Sequence, residues 1–114
     1  MSKAKAGEKQ NARVFRRDNF KCAYCDLDMG TEATSVFLEM DHIDPDTKIN
    51  TGDFGEEFDI NKVTSCVACN RTFKHGYRPN GETREEKIQN AREYVRKKRE
   101  EHFKWFRKVK AGLI

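Results

Sequence analysis

Four cysteines are among the residues of this chain best suited to chemistry. They form two pairs, Cys22 with Cys25 and Cys66 with Cys69. Each pair has the two-residue spacing that lets both thiolates bind one ion. Four thiolates are a common tetrahedral ligand set for Zn²⁺, whose binding can stabilise a fold by on the order of 10 kcal/mol. A disulfide scaffold and a redox Cys-x-x-Cys pair are the alternatives, disfavoured because nothing marks the chain as secreted and no thioredoxin-like pattern occurs. We therefore predict one structural zinc site.

A second group of polar residues lies near the cysteines. Asp41 and His42 end an apolar run, Asn61 precedes the second cysteine pair and Asn70 directly follows it. Carboxylate and amide oxygens suit a hard cation such as Mg²⁺ or Mn²⁺, and an imidazole can take a proton from water near neutral pH. An isolated Asp-His pair at a strand end more often only hydrogen-bonds to a turn. If all four side chains converge, however, they form a hydrolytic site.

The charged residues are segregated along the chain. The formal net charge is +4, but residues 1–21 carry +5, residues 22–65 carry −9 and residues 66–114 carry +8. Two basic flanks around an acidic centre are typical of enzymes that hold a polyanion and a cation together. The alternative is that Lys and Arg only solubilise surface helices. Since no apolar run approaches the roughly 18 residues of a membrane-spanning helix, we expect a soluble cytoplasmic protein without a membrane partner.

The elements that must position these residues are small. Leu, Ile, Val and Phe make up only 22 of the 114 residues, so we expect one small α+β domain that needs its metal. Thr83 and Glu86 have capping-box spacing, which predicts a helix start. The expected segments are a disordered basic arm over 1–10, a helix over 11–18, a turn over 26–34, a strand over 35–43, a polar loop over 44–59, a second strand over 62–65, a helix over 67–75 and a helix from 83 to about 110. The core then spans residues 11–82, and the basic helix of residues 83–114 packs on it, with Trp105 and Phe106 expected as packing residues.

Taken in order, Cys-x-x-Cys, Leu-Glu-Met-Asp-His-Ile, an Asn five residues before the second Cys-x-x-Cys and an Asn directly after it resemble an HNH endonuclease of the zinc-knuckle type, over roughly residues 13–76. The resemblance implies a small zinc-stapled ββα-metal (HNH, His-Me finger) domain with a flanking N-terminal helix and a long basic C-terminal helix. It implies that His42 is the general base, that Asn61 orients it, and that Asp41 and Asn70 bind a catalytic Mg²⁺ or Mn²⁺. The sequence departs from the family in having Asn70 where many members have His, and a long acidic loop where many have a glycine-rich one.

The same resemblance implies metal-dependent hydrolysis of DNA phosphodiester bonds, with double-stranded DNA as the partner of a small stand-alone enzyme encoded by a bacterium or phage. With one site per chain and no clear dimerisation element, we expect a monomer that nicks one strand. The basic residues expected to contact nucleic acid are Arg16, Arg17, Arg71 and Lys74. A zinc-stapled nucleic-acid-binding module that does not cut and a zinc-organised protein-interaction domain are the alternatives; the first does not need all four polar residues, and the second leaves the basic C-terminal segment unexplained.

Overall fold

The structure, a computed structural model, describes residues 6–45 and 60–114. Residues 1–5 of the expected arm and residues 46–59 of the expected acidic loop lie outside this part of the chain. The described elements are α1 (Ala6–Arg17), α2 (Glu32–Ser35), β1 (Leu38–His42), β2 (Lys62–Cys66), a π-helical turn (Cys69–Phe73) and α3 (Arg84–Lys110). They form a small mixed helix–strand fold around a two-stranded sheet. None of the described helices is both long and apolar enough to span a bilayer.

The sheet is an antiparallel hairpin. Its register pairs Leu38 with Cys66 at one end and His42 with Lys62 at the other. Beyond that last pair, the Ile43 N–H donates to the Asn61 carbonyl at 2.8 Å, so the two strands stay together where the chain leaves the sheet. The hairpin therefore carries a cysteine at one end and the Asp-His sequence at the other.

The strand β1 is shorter than expected because a short helix precedes it. Thr31 caps α2 by accepting the Thr34 N–H at 3.1 Å, and the Thr34 hydroxyl accepts the Thr31 N–H in return at 3.3 Å. The predicted turn over residues 26–34 therefore ends in α2 (Glu32–Ser35), and the strand predicted from residue 35 begins at Leu38.

The N-terminal helix α1 is longer than expected. It begins at Ala6, so residues 6–10 are helical and not part of a disordered arm. Ala, Glu, Lys and Gln are strong helix formers, and the Lys62 ammonium donates to Gln10 Oε1 at 2.8 Å, which fixes this part of the helix against β2. Val14, on the inner face of α1, is fully buried.

The C-terminal helix α3 starts where the sequence predicts. The Thr83 hydroxyl accepts the Glu86 N–H at 3.1 Å, while the Glu86 carboxylate accepts the Glu82 N–H at 3.2 Å. Ala91 and Val95 are fully buried in the core that surrounds the cysteines. The first half of α3 thus packs on the domain.

The C-terminal part of α3, beyond Arg99, is not part of the described core. All residues from 101 to 114 are exposed, with Trp105 52% and Phe106 48% exposed, which corrects the expectation that both pack. A helix of 27 residues is about 40 Å long at 1.5 Å per residue, and its last turns extend beyond the buried residues of the core.

Candidate metal centre and the adjoining strand end

The first cysteine pair lies in a tight turn. The Cys22 N–H donates to the Leu27 carbonyl at 2.9 Å, and the Asp26 N–H donates to the Cys22 carbonyl at 3.0 Å. Asp26 closes the turn with a φ of +66°, a left-handed conformation that Asp tolerates better than most residues. This turn brings Cys22 and Cys25 to the same side of the backbone.

The second pair joins the sheet to the π-helical turn. Cys66 is the last residue of β2, and Cys69 is the first residue of the turn. The Cys69 N–H points at the Cys66 sulfur at 3.5 Å, and the Lys74 N–H donates to the Cys69 carbonyl at 2.8 Å. The wide turn therefore positions both sulfurs and also brings Lys74 back toward the sheet.

The four cysteine sulfurs form a cluster that can hold a metal ion. All four are free, and all lie within 4.8 Å of one another. The Cys25 and Cys66 sulfurs are 3.8 Å apart, which matches the edge of about 3.8 Å in a tetrahedron with Zn–S bonds of about 2.3 Å. Among the described residues, a group of at least three His, Cys, Asp or Glu side chains lies close enough together to bind a metal only at these four cysteines. The cluster is consistent with zinc.

The thiols of this cluster share hydrogen bonds. Such bonds, first from Cys25, lower the pKa of the Cys22 thiol to about 6, and bonds to Cys22 and its neighbours raise the pKa of Cys69. The thiolate is the form of cysteine that ligates metals, so a metal ion bound here would take the negative charge of these sulfurs.

Asp41 lies in a largely enclosed network beside the cluster. Its Oδ2 accepts the Tyr24 hydroxyl at 2.6 Å and lies 2.9 Å from the Lys74 ammonium. Lys74 is only 4% exposed, donates to the His42 carbonyl at 3.0 Å, and lies 5.3 Å from the centre of the Tyr24 ring. Burial, followed by the Asp41 charge, raises the pKa of Tyr24 well above its usual value. Lys74, expected to meet a phosphate at the surface, is instead an internal partner of Asp41.

Asn70 has a different carboxylate partner. Its Nδ2 donates to Glu39 Oε1 at 2.9 Å, and the Arg71 guanidinium approaches the same carboxylate at 2.6 Å. Glu39 and Asp41 are two residues apart on β1 and so share one face of the strand. Asp41 and Asn70 therefore lie on the same side of β1, but the structure shows each with its own partner. Glu39 is the residue that sequence reasoning missed, and its alternation with Asp41 is the signal that could have identified it.

Asn61 contacts the chain just after His42 and not the expected imidazole. Its Nδ2 donates to the Asp44 carbonyl at 2.9 Å, and its Oδ1 accepts the Asp44 N–H at 2.9 Å. Asn61 is 4% exposed, so these bonds satisfy a buried amide. His42 itself is exposed at the end of β1. Asn61 therefore closes the base of the segment that leaves the hairpin after His42.

The other predicted basic contacts differ in placement. Arg17 donates to both carboxylate oxygens of Asp18 and to the Lys62 carbonyl at 2.7 Å, so its guanidinium is engaged within the fold. Arg16 is exposed, and Arg71 is exposed while paired with Glu39. Two of the four residues expected to contact nucleic acid thus lie at the surface, while Arg17 and Lys74 hold elements together.

Comparisons of the chain with protein-family models, with curated proteins and with solved structures found no match. The family resemblance therefore depends on the motif residues and their placement alone.

Proposed function

We propose that this protein is a zinc-stapled, metal-dependent DNA endonuclease of the HNH type, with His42 as the general base. The observation that carries the proposal is the antiparallel hairpin, which has Cys66 of the metal-binding cluster at one end and the exposed His42 at the other, with a helical turn directly after it. The Lys74 ammonium lies 2.9 Å from the Asp41 carboxylate and 3.0 Å from the His42 carbonyl. The element order of strand, antiparallel strand and helical turn agrees with the order that a ββα-metal site requires.

The zinc ion is proposed to bind Cys22, Cys25, Cys66 and Cys69 and to stabilise the fold. Cys66 pairs with Leu38 in the hairpin whose other end carries His42, so a metal held at this end fixes the strand register. Structural zinc of this kind can supply free energy that a small apolar core lacks.

His42 is proposed to take a proton from the attacking water. Its side chain is exposed at the strand end, where a phosphodiester can approach. Asn61 positions the base through the backbone, because its side chain bonds to the backbone N–H and the carbonyl of Asp44, two residues after His42. This assigns Asn61 a positioning role by a different route from a direct hydrogen bond to the ring.

A catalytic Mg²⁺ or Mn²⁺ would be held by the oxygens of Asp41 and Asn70, which are hard donors of the kind these ions prefer. It would supply charge stabilisation at the phosphate and at the departing oxygen. The Lys74 ammonium already partners Asp41, so cation binding would compete with this ion pair.

That ion pair also favours a second candidate, a zinc-stapled nucleic-acid-binding module that does not cut. Asp41 has its charge balanced by Lys74 and accepts a hydrogen bond from Tyr24, as a purely structural carboxylate would. The basic residues would then hold nucleic acid without hydrolysing it.

Plasmid cleavage by zinc-loaded protein, with and without added Mg²⁺ or Mn²⁺, separates the two candidates. We expect cleavage only with the added cation, loss of cleavage in His42→Ala, and DNA binding by that variant within a few-fold of the parent, because the base acts in the chemical step. His75→Ala is the matched control, since His75 is also an exposed histidine. Undiminished cleavage by His42→Ala contradicts the assigned base, and binding without cleavage under either cation supports the binding module.

A further inference from the structure

Helix α3 crosses both halves of the cysteine cluster. Arg92 donates to the Ala23 carbonyl at 2.8 Å and pairs with Asp26 at 2.6 Å. Both partners belong to the tight turn that carries Cys22 and Cys25. Arg99, seven residues later and therefore on the same helical face, donates to the Cys69 sulfur at 3.3 Å and approaches the Cys66 sulfur at 3.6 Å. Val95, between the two arginines, is fully buried in the same core.

The surroundings of Arg99 are unusual for a guanidinium. Its Nε is buried without a hydrogen-bond partner in the described part of the chain, and its guanidinium carbon Cζ lies 4.7 Å from the centre of the Phe73 ring. Its other partners are the two sulfur atoms, not a carboxylate. Arg99 is partly buried, and a guanidinium that is partly removed from water is stabilised by a nearby negative charge, which thiolates can provide.

A zinc ion with four thiolate ligands has a net charge of −2, which is costly to enclose in an apolar core. A charged N–H donor to sulfur neutralises part of this charge and withdraws electron density from the thiolates. Outer partners of this kind orient metal ligands, and their loss typically weakens metal binding 10–100-fold. A thiolate that accepts such a bond is also a weaker nucleophile.

We propose that Arg99 is a positioning residue of the metal centre: it holds the Cys66 and Cys69 thiolates through N–H···S bonds, protects them from electrophiles and fastens α3 to the metal. This inference rests on the proposed zinc site. Arg99 lies near the middle of the long helix, so metal binding and docking of α3 become a single event.

The test compares Arg99→Met and Arg99→Lys with Arg96→Met. Arg96 is the matched control because it is exposed on the same helix and pairs with Glu93 at 3.0 Å, away from the sulfurs. Zinc content, zinc affinity by chelator competition and the rate of zinc release by iodoacetamide are measured for each protein. Helix content by circular dichroism shows whether each variant folds.

We expect Arg99→Met to bind zinc about 10-fold more weakly and to release it several-fold faster under iodoacetamide. Arg99→Lys should restore part of both properties, and Arg96→Met should match the parent. In cobalt-substituted protein, the thiolate-to-cobalt charge-transfer band should move to lower energy in Arg99→Met, because the sulfurs become better electron donors. A merely structural role of Arg99 would not move this band.

The outcomes test the zinc site and the role of Arg99 separately. A parent protein that holds no zinc overturns the zinc site itself. A parent that holds zinc, with Arg99→Met equal to it in affinity, release rate and cobalt spectrum, overturns the role of Arg99 alone. Should Arg99→Met fail to fold, Arg99→Gln decides, because it keeps a polar side chain but removes the positive charge: an unchanged cobalt band and release rate in that variant also overturn the role of Arg99.

Discussion

At the residue scale, the Lys74 ammonium connects three groups from two parts of the chain, the end of β1 and the turn of the first cysteine pair. It contacts the Asp41 carboxylate, the His42 carbonyl and the Tyr24 ring from a position that is 4% exposed. Removing one member of a buried ion pair leaves the other charge uncompensated, which typically destabilises a fold by about 3 kcal/mol or more. Lys74 is therefore a structural residue of the site in this fold.

We predict that Lys74→Met lowers the free energy of unfolding by about 3 kcal/mol and changes DNA affinity at fixed salt by less than about twofold. Lys97→Met is the control, because Lys97 is exposed on α3 and should give a small stability change. Urea unfolding and fluorescence anisotropy measure the two quantities. A Lys74→Met protein of parental stability but much weaker DNA binding would show that Lys74 faces the nucleic acid.

The types of the site residues were predictable from the sequence, but most of their partners were not. Cys-x-x-Cys spacing depends on local geometry alone, and the cysteine cluster is confirmed as close enough to bind a metal. The partners of Asp41 and Asn61 depend on how distant segments meet. Lysine is rarely buried, so no local signal marked Lys74 as the internal partner of Asp41.

At the element scale, the hairpin and α3 were predicted more accurately than the helices near the N-terminus. Thr83 and Glu86 predicted the start of α3, and the second strand was predicted to within one residue. The cap of α2 uses Thr34 where the capping-box pattern has Glu or Gln, so the pattern did not reveal it. The start of α1 depends partly on the contact between Gln10 and Lys62, which only the folded chain brings together.

The base of the segment after β1 gives an element-scale prediction. Asn61→Ala should leave the Asp44 N–H and carbonyl without their side-chain partner and lower stability by about 1–3 kcal/mol. If His42 is the base, cleavage should fall well beyond the loss of folded protein while DNA binding is retained, because the backbone after the base is loosened. Urea unfolding and single-turnover cleavage at equal folded concentration check this. Parental turnover in a folded Asn61→Ala protein would contradict the positioning role.

At the scale of the whole molecule, α3 packs against the cysteine cluster as far as Arg99, and its remaining residues extend away from the core. Residues after Glu101 include four Lys or Arg and no acidic side chain. Deleting residues 103–114 removes these four charges but retains Arg99 at the cysteines. Deleting residues 96–114 removes Arg99 as well, so the two truncations should differ in metal binding.

We predict that the 103–114 deletion keeps its zinc and reduces the slope of log affinity against log salt by roughly 0.9 for each DNA phosphate that the helix end had neutralised. The 96–114 deletion should show the same kind of flattening together with weaker zinc binding. Elemental analysis and DNA titrations at several salt concentrations provide both measurements. An unchanged slope in the zinc-loaded 103–114 deletion would show that the helix end does not bind DNA.

The exposed end of α3 also bears on the reaction product. Phe103, Trp105, Phe106 and Val109 are all between 39% and 52% exposed, and an apolar face of this kind could pair two chains. Arg107 on the same segment is paired with Glu100 at 2.8 Å, but Lys104, Lys108 and Lys110 oppose such pairing, because two copies would bring these like charges together. A polyanion such as the proposed DNA partner would instead balance this charge.

We therefore predict a monomer that cuts one strand per encounter. Supercoiled plasmid should pass first to open circles and only later, through accumulated nearby nicks, to linear molecules, and sedimentation at low salt should give the mass of one chain. Phe106→Ser should leave both results unchanged, since in a monomer this side chain has no partner chain to lose. Linear product that appears together with open circles from the earliest times, with a dimeric mass that Phe106→Ser reduces to one chain, would instead show that two copies pair through the end of α3 and cut both strands.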